Sequence, residues 1–313
     1  MAKGNGPVAP WTKVRAEAPR SVQVTLTALF MIFALVLAAC SGASSPTTAP
    51  SGSSTPASAS STSGSPAATT APKIDGTTTV FAAASLTDAF NVMGKALEKA
   101  NPGAKVTFNF AGSPQLRTQI QQGARADVFA SADEKNMQGA QQDGTIASEP
   151  KTFARNKLVV IVPSKDQAGI NEPKDLARPG IKLILAQKDV PVGNYTRQSL
   201  DKMSQDPAYG SDFSTKVLTN LVSEETNVKA VVSKVQLGEA DVGFVYSSDV
   251  TPAVRDAVKI IEIPDQFNVI ANYPIATVKD GQNASGSQAF IDYVLSLAGQ
   301  ETLRKYGFIP VSG

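Results

Sequence analysis

The 313-residue chain contains no histidine. That absence removes Ser-His-Asp triads, Cys-His nucleophile pairs and histidine-ligated metal sites together. There is one cysteine, so no disulfide can close within the chain and its fold rests on its core alone. No Walker-type phosphate loop and no G-x-S-x-G elbow occurs. Carboxylates are plentiful, but no local spacing singles out a pair for acid–base work. Charge excess is also missing. The whole chain has 29 basic and 27 acidic residues, and setting aside Lys3, Lys13, Arg15, Arg20 and Glu17 of the first 39 residues leaves a net charge of −1. Such a balance gives no electrostatic footprint for nucleic acid.

The single cysteine points to what is present. Thr25 to Cys40 reads TLTALFMIFALVLAAC, with Lys13, Arg15 and Arg20 ahead of it. A basic stretch, an apolar run and small residues at a cleavage point make an export signal over residues 1–39. The apolar run is short for a membrane span of ~20 residues. Leu37-Ala38-Ala39-Cys40 resembles the lipobox of bacterial lipoproteins. That resemblance implies cleavage before Cys40, acylation of its thiol, and a protein lipid-anchored to the extracytoplasmic face of the cell membrane. Behind Cys40, residues 41–72 are almost entirely Ser, Thr, Ala, Pro and Gly, without charge. Such a segment cannot bury enough apolar surface to offset its chain entropy, so residues 40–72 are expected to be a disordered tether.

Beyond the tether, strand and helix patterns alternate. Thr78–Ala83, Lys105–Phe110, Asp127–Ala130, Leu158–Val162, Ile181–Leu185 and Val242–Tyr246 read as strands. Leu86, Phe90, Met93 and Leu97 recur at helical spacing, as do Val228, Val231, Val232 and Val235, and near the end Phe290, Val294 and Leu297. Leu116 and Ile120 suggest a shorter helix. The alternation predicts an α/β fold with mostly parallel sheets.

The joints between strands and helices carry the functional signal. Ser85 follows the first strand, with Asp88 three residues on in a capping-box pattern. Gly112-Ser113-Pro114 follows the second strand, with Ser113 as cap and Pro114 at the first helical position. Pro191-Val192-Gly193 and Thr226-Asn227-Val228 open two further helices. Each helix start presents unpaired backbone N–H groups and a positive dipole end. Several converging on one point form an anion site without Lys or Arg. Ordinary capping is the better account of any one serine taken alone, and simple packing of Tyr246. In α/β sheets, however, such joints lie at the carboxyl ends of strands, where ligands bind.

Resemblance adds a family. Val80–Thr87, Phe110–Ser113, Gly123–Asp133, Val190–Tyr195, Gly243–Asp249 and Lys305–Phe308 are similar, in order, to segments of the molybdate-binding proteins of ATP-driven importers. The resemblance implies a two-lobe periplasmic-binding-protein fold of type II, with the ligand in a cleft between lobes. Lobe one is expected at 73–155 and 271–313, lobe two at 156–270. It implies oxyanion contacts from Ser85 and Ser113, from the backbone N–H groups of Val192 and Val228, and from the Tyr246 hydroxyl. The family often has alanine where Val192 stands, and a backbone contact tolerates that change. The ligand implied is molybdate or tungstate, with no cofactor and no catalysis. The partners implied are the permease and ATPase subunits of an importer, and a monomer is expected.

The chemistry agrees with a fully ionised tetrahedral dianion. Backbone N–H groups cannot accept a hydrogen bond, so a protonated oxyanion tends to strand its proton, at ~1–3 kcal/mol. The serine and tyrosine hydroxyls can accept as well as donate, so this is a bias only. A receptor for sulfate or another anion, and a surface hydrolase using paired carboxylates, stay open as alternatives.

Overall fold

The computed structural model describes residues 75–311. The export signal, Cys40 and the tether lie outside the described residues. Among the described residues no helix is long and apolar enough to cross a membrane.

The chain begins with β1 (Gly76–Ala83), α1 (Thr87–Ala100), β2 (Ala104–Ala111), α2 (Ser113–Gln121), β3 (Val128–Ala130), α3 (Glu134–Gln142) and β4 (Lys151–Asn156). It continues with β5 (Leu158–Pro163), β6 (Leu183–Ala186), α4 (Pro191–Ser204), α5 (Phe213–Thr219), β7 (Leu221–Glu225) and α6 (Val228–Gln236). Then come β8 (Val242–Tyr246), α7 (Pro252–Arg255) and β9 (Val258–Glu262). The last elements are β10 (Ala271–Thr277), α8 (Ala284–Leu295), α9 (Leu297–Lys305) and β11 (Ile309–Pro310). Two sheets result, ordered β11-β4-β10-β3-β1-β2 and β7-β6-β8-β5-β9. Each is the centre of one lobe of a two-lobe α/β fold.

The strands that are most apolar in sequence form the middle of these sheets. Leu158 to Val162 of β5 and all five residues of β8 are buried, as expected of strands covered on both faces. Helix α1 buries Ala89, Phe90, Met93, Gly94 and Leu97 on one stripe, and α6 buries Val228, Val231, Val232 and Val235. An aromatic column links the sheets: Phe90 to Phe153 at 5.7 Å, Phe153 to Tyr273 at 6.2 Å, and Tyr273 to Tyr246 at 5.8 Å between ring centroids. Tyr273 stands on β10 of the first sheet and Tyr246 on β8 of the second.

Two expectations are corrected. The sheets are mixed and not mostly parallel. β1 runs parallel to β2 and β3, and β6 to β7 and β8. β10 is antiparallel to β3 and β4, β11 to β4, and β5 to β8 and β9. The antiparallel pairs involve the strands beside the crossings between sheets, where no crossover helix returns the chain in the same direction. Leu297 does not belong to the helix that carries Phe290 and Val294. Ser296 ends α8 and caps α9, its Oγ donating to the Tyr293 carbonyl at 2.6 Å and accepting from Gly299 N at 3.3 Å. Leu297 therefore starts a new helix and is 88% exposed.

The chain crosses between sheets at Lys157 and again between β9 and β10. Asn268 ties these passages together. Its Oδ1 accepts from Leu158 N at 3.0 Å, and its Nδ2 donates to the Leu158 carbonyl at 2.9 Å.

Candidate functional site

The carboxyl ends of β1 and β2 in one sheet face those of β6, β7 and β8 in the other. The loops leaving them line one small cavity. Its walls include Ser85, Gly112, Ser113, Val192, Val228 and Tyr246. All five residues singled out from the sequence as oxyanion contacts are thus brought together. Among the described residues, no charged side chain lines the cavity.

The helix starts supply the donors. Val192 is the second residue of α4 and Val228 the first of α6. Both N–H groups belong to the set that an α-helix leaves without an intrahelical acceptor. Asn227 caps α6 by accepting from Ala230 N at 3.1 Å, which leaves the N–H of Val228 uncapped by that side chain. The aligned peptides of both helices place positive potential at the cavity.

Neither serine is a cap. A 3-10 turn over Ala84–Leu86 places Ser85 before α1, and α1 has no side-chain cap bond. The capping box expected between Ser85 and Asp88 is absent. Gly112 precedes α2, Ser113 is its first residue, and no side chain caps it. The Ser85 Oγ instead lies 3.0 Å from the Tyr273 hydroxyl, and the Ser113 Oγ accepts from Ala132 N at 3.1 Å. Both serines are buried, and both line the cavity.

Tyr246 is fully buried. Among the described residues its hydroxyl is one of three buried side-chain atoms without a hydrogen-bond partner, with Ser199 Oγ and Asp249 Oδ1. Of these three, only the Tyr246 side chain lines the cavity. Burial, with Tyr273 nearby, holds its pKa well above the ordinary value, so the phenol keeps its proton. An unpaired buried hydroxyl costs ~1–3 kcal/mol.

A charged bridge flanks the site. Lys229, next to Val228, reaches Asp88 of α1 at 2.7 Å and Asp249 at 3.5 Å. Burial works against the lysine charge, but Asp249 and Asp88 together hold its pKa above the usual range. Burial pushes the Asp249 carboxyl up to about 6, against the pull of Lys229. Asp249 also accepts from Tyr246 N at 3.1 Å, so it anchors the backbone of that residue. Sequence reading passed over Lys229, Asp88 as its partner, and Tyr273. A lysine or aspartate on a helix reads as a solvated charge, and an aromatic in a strand as packing.

Comparison with known proteins identifies the family. The family model described as bacterial extracellular solute-binding protein matches residues 78–309. The molybdate-binding protein ModA of Mycobacterium tuberculosis is 38% identical over 229 residues, covering 73% of this chain and 83% of that protein. ModA of Haemophilus influenzae is 34% identical over 242 residues, covering 74% and 89%. The solved periplasmic molybdate-binding protein of Azotobacter vinelandii has a TM-score of 0.64 at 21% identity, covering 74% of this chain and 98% of that one. At that identity the likeness is one of fold.

Proposed function

The chain belongs to the bacterial extracellular solute-binding proteins, and from that premise we propose that it captures molybdate, and tungstate with it, for delivery to the permease and ATPase subunits of an importer. Its relatives bind solutes, and the protein is a binding protein and not an enzyme. In this reading the oxyanion takes hydrogen bonds from the Ser85, Ser113 and Tyr246 hydroxyls and from the N–H groups of Val192 and Val228. The observation that carries the reading is the buried, unpaired Tyr246 hydroxyl beside two serines that cap no helix and two helix starts. A lining rich in donors, with no charged side chain among the described residues, suits a tetrahedral dianion.

Calorimetric titration with molybdate, tungstate and sulfate tests it. Saturable binding of one molybdate per chain is expected, with sulfate much weaker because it is smaller. Absence of heat and of competition with molybdate would overturn the reading. Ser85→Ala and Ser113→Ala should each weaken molybdate binding by ~1.5–3 kcal/mol, the range for hydrogen bonds to charged groups. Their stability without ligand should fall by ~1–3 kcal/mol, since each serine accepts from a buried donor, the Tyr273 hydroxyl or Ala132 N, that alanine leaves unpaired. Wild-type affinity in both variants would remove the serines from the site.

The proposal includes a lipid anchor at Cys40, supported by the signal-like segment before it and the uncharged stretch after it. Cys40→Ser should abolish acylation. Metabolic labelling with a fatty acid measures this, and equal label in variant and wild type would exclude the anchor.

A further inference from the structure

The hydrogen-bond network behind Ser85 has a direction, and it starts at Asn156. The Asn156 Oδ1 accepts from Lys157 N at 3.0 Å and from Ser247 Oγ at 2.9 Å. A backbone N–H can only donate, so this end of the amide is the oxygen. The other end is the amino group, which donates to Ser248 Oγ at 2.7 Å and lies 3.5 Å from the Tyr273 hydroxyl. Asn156 and Tyr273 are both fully buried.

The Tyr273 hydroxyl therefore has two neighbours at bonding distance, Ser85 Oγ and Asn156 Nδ2. An amide nitrogen cannot accept. The phenol proton goes to Ser85 Oγ, because any other direction leaves it unpaired in the core. Burial keeps that phenol protonated, its pKa well above the ordinary value. Ser85 thus receives a proton on one side and must send its own elsewhere, and the cavity is the side that remains. Ser113 is arranged alike, its Oγ accepting from Ala132 N. Tyr246 has no acceptor among the described residues other than a ligand.

The geometry points to Tyr273 as a specificity-determining residue of the anion site: it fixes Ser85 as a donor, so that the cavity takes an oxyanion without protons and turns away one of equal charge that carries a proton. The inference rests on the anion-binding reading of the same cavity. Tyr273 touches no ligand in it and acts through Ser85, as a positioning residue. Polarisation along Asn156, Tyr273 and Ser85 also strengthens the last donor in the chain. The proton bias that composition leaves loose, because serine can donate or accept, becomes a fixed property of the site.

Selenate and hydrogen arsenate separate the effect, since at mildly alkaline pH they are tetrahedral, similar in size and equal in charge, differing by one proton. Each is titrated in competition with molybdate against wild type, Tyr273→Phe, Ser85→Ala and the double variant. In wild type, selenate should outcompete hydrogen arsenate at least tenfold. In Tyr273→Phe, molybdate and selenate should bind roughly three- to tenfold more weakly, as one charge-directed hydrogen bond loses its support. Hydrogen arsenate should lose less, so the preference narrows. In the Ser85→Ala background, Tyr273→Phe should leave the preference unchanged, which a purely structural role would not produce. A wild type that binds molybdate but treats the two probes alike overturns the inference, even if the phenylalanine variant fails to fold. An equal effect of Tyr273→Phe with and without Ser85 also overturns it. Failure of wild type to bind molybdate, in contrast, overturns the anion-binding reading itself.

Discussion

Replacing Gly112 by alanine is expected to prop the cleft open and weaken molybdate binding roughly ten- to hundredfold, or ~1–3 kcal/mol as for an overpacked core. Gly112 sits at the cavity edge of the first lobe, and a Cβ there would overlap the carbonyl oxygen of Thr226 in the second. Its backbone angles, φ −64 and ψ 140, are extended and suit any residue. The methyl group therefore strains neither lobe by itself, and it matters only when the two approach. Thermal stability without ligand should stay close to wild type, while the affinity falls. Small-angle scattering supplies the second readout. Wild type should contract on saturation with molybdate, because a ligand held from both lobes favours the closed state by its differential contacts. Gly112→Ala should contract less. Full contraction and wild-type affinity in the variant would show that the Gly112–Thr226 approach does not limit closure.

Tyr246→Phe is expected to act in opposite directions on the two states. Closure without an anion buries the Tyr246 hydroxyl with no partner, at ~1–3 kcal/mol. Phenylalanine keeps the ring contact with Tyr273, 5.8 Å between centroids, and removes the penalty. The ligand-free variant should therefore populate the closed form more than wild type, by roughly five- to a hundredfold in the equilibrium constant. Bound molybdate, on the other hand, loses one donor, and affinity should fall by ~1.5–3 kcal/mol. The hydroxyl in this view keeps the protein from closing on nothing. Scattering without ligand and calorimetry with it measure the two effects separately. A variant that binds as wild type does, with unchanged ligand-free dimensions, would make Tyr246 a plain packing residue.

Much of this architecture is visible in the residues alone. The apolar runs at 158–162 and 242–246 announce buried strands because both of their faces are covered. The α1 and α6 stripes announce helices because one face alone meets the core. The helix starts at Ser113, Pro191 and Val228 are marked by Pro, Gly and Asn, whose local chemistry ends a strand and begins a helix. Strand direction was less legible, since apolar alternation does not record whether a neighbour runs parallel. The break at Ser296 was missed for a similar reason: the spacing of Phe290, Val294 and Leu297 continues through it, and the Oγ that ends one helix and caps the next is a matter of rotamer.

Resemblance to a family gave Ser85, Ser113, Val192, Val228 and Tyr246 their expected role as anion donors, while the sequence by itself determined the strand-to-helix joints at Ser85, Ser113, Val192 and Val228. These are short-range properties, set by periodicity, turn residues and caps. Only the tertiary structure decided what surrounds these groups. A serine at a helix start caps that helix or faces a cavity according to where one Oγ points, and that depends on Tyr273, Asn156 and Ala132, which are distant in the chain. The cavity, the unpaired Tyr246 hydroxyl and the close approach of Gly112 to Thr226 come from two sheets meeting. No local pattern encodes that meeting, because it is set by long-range packing and by the paired crossings at Lys157 and Asn268.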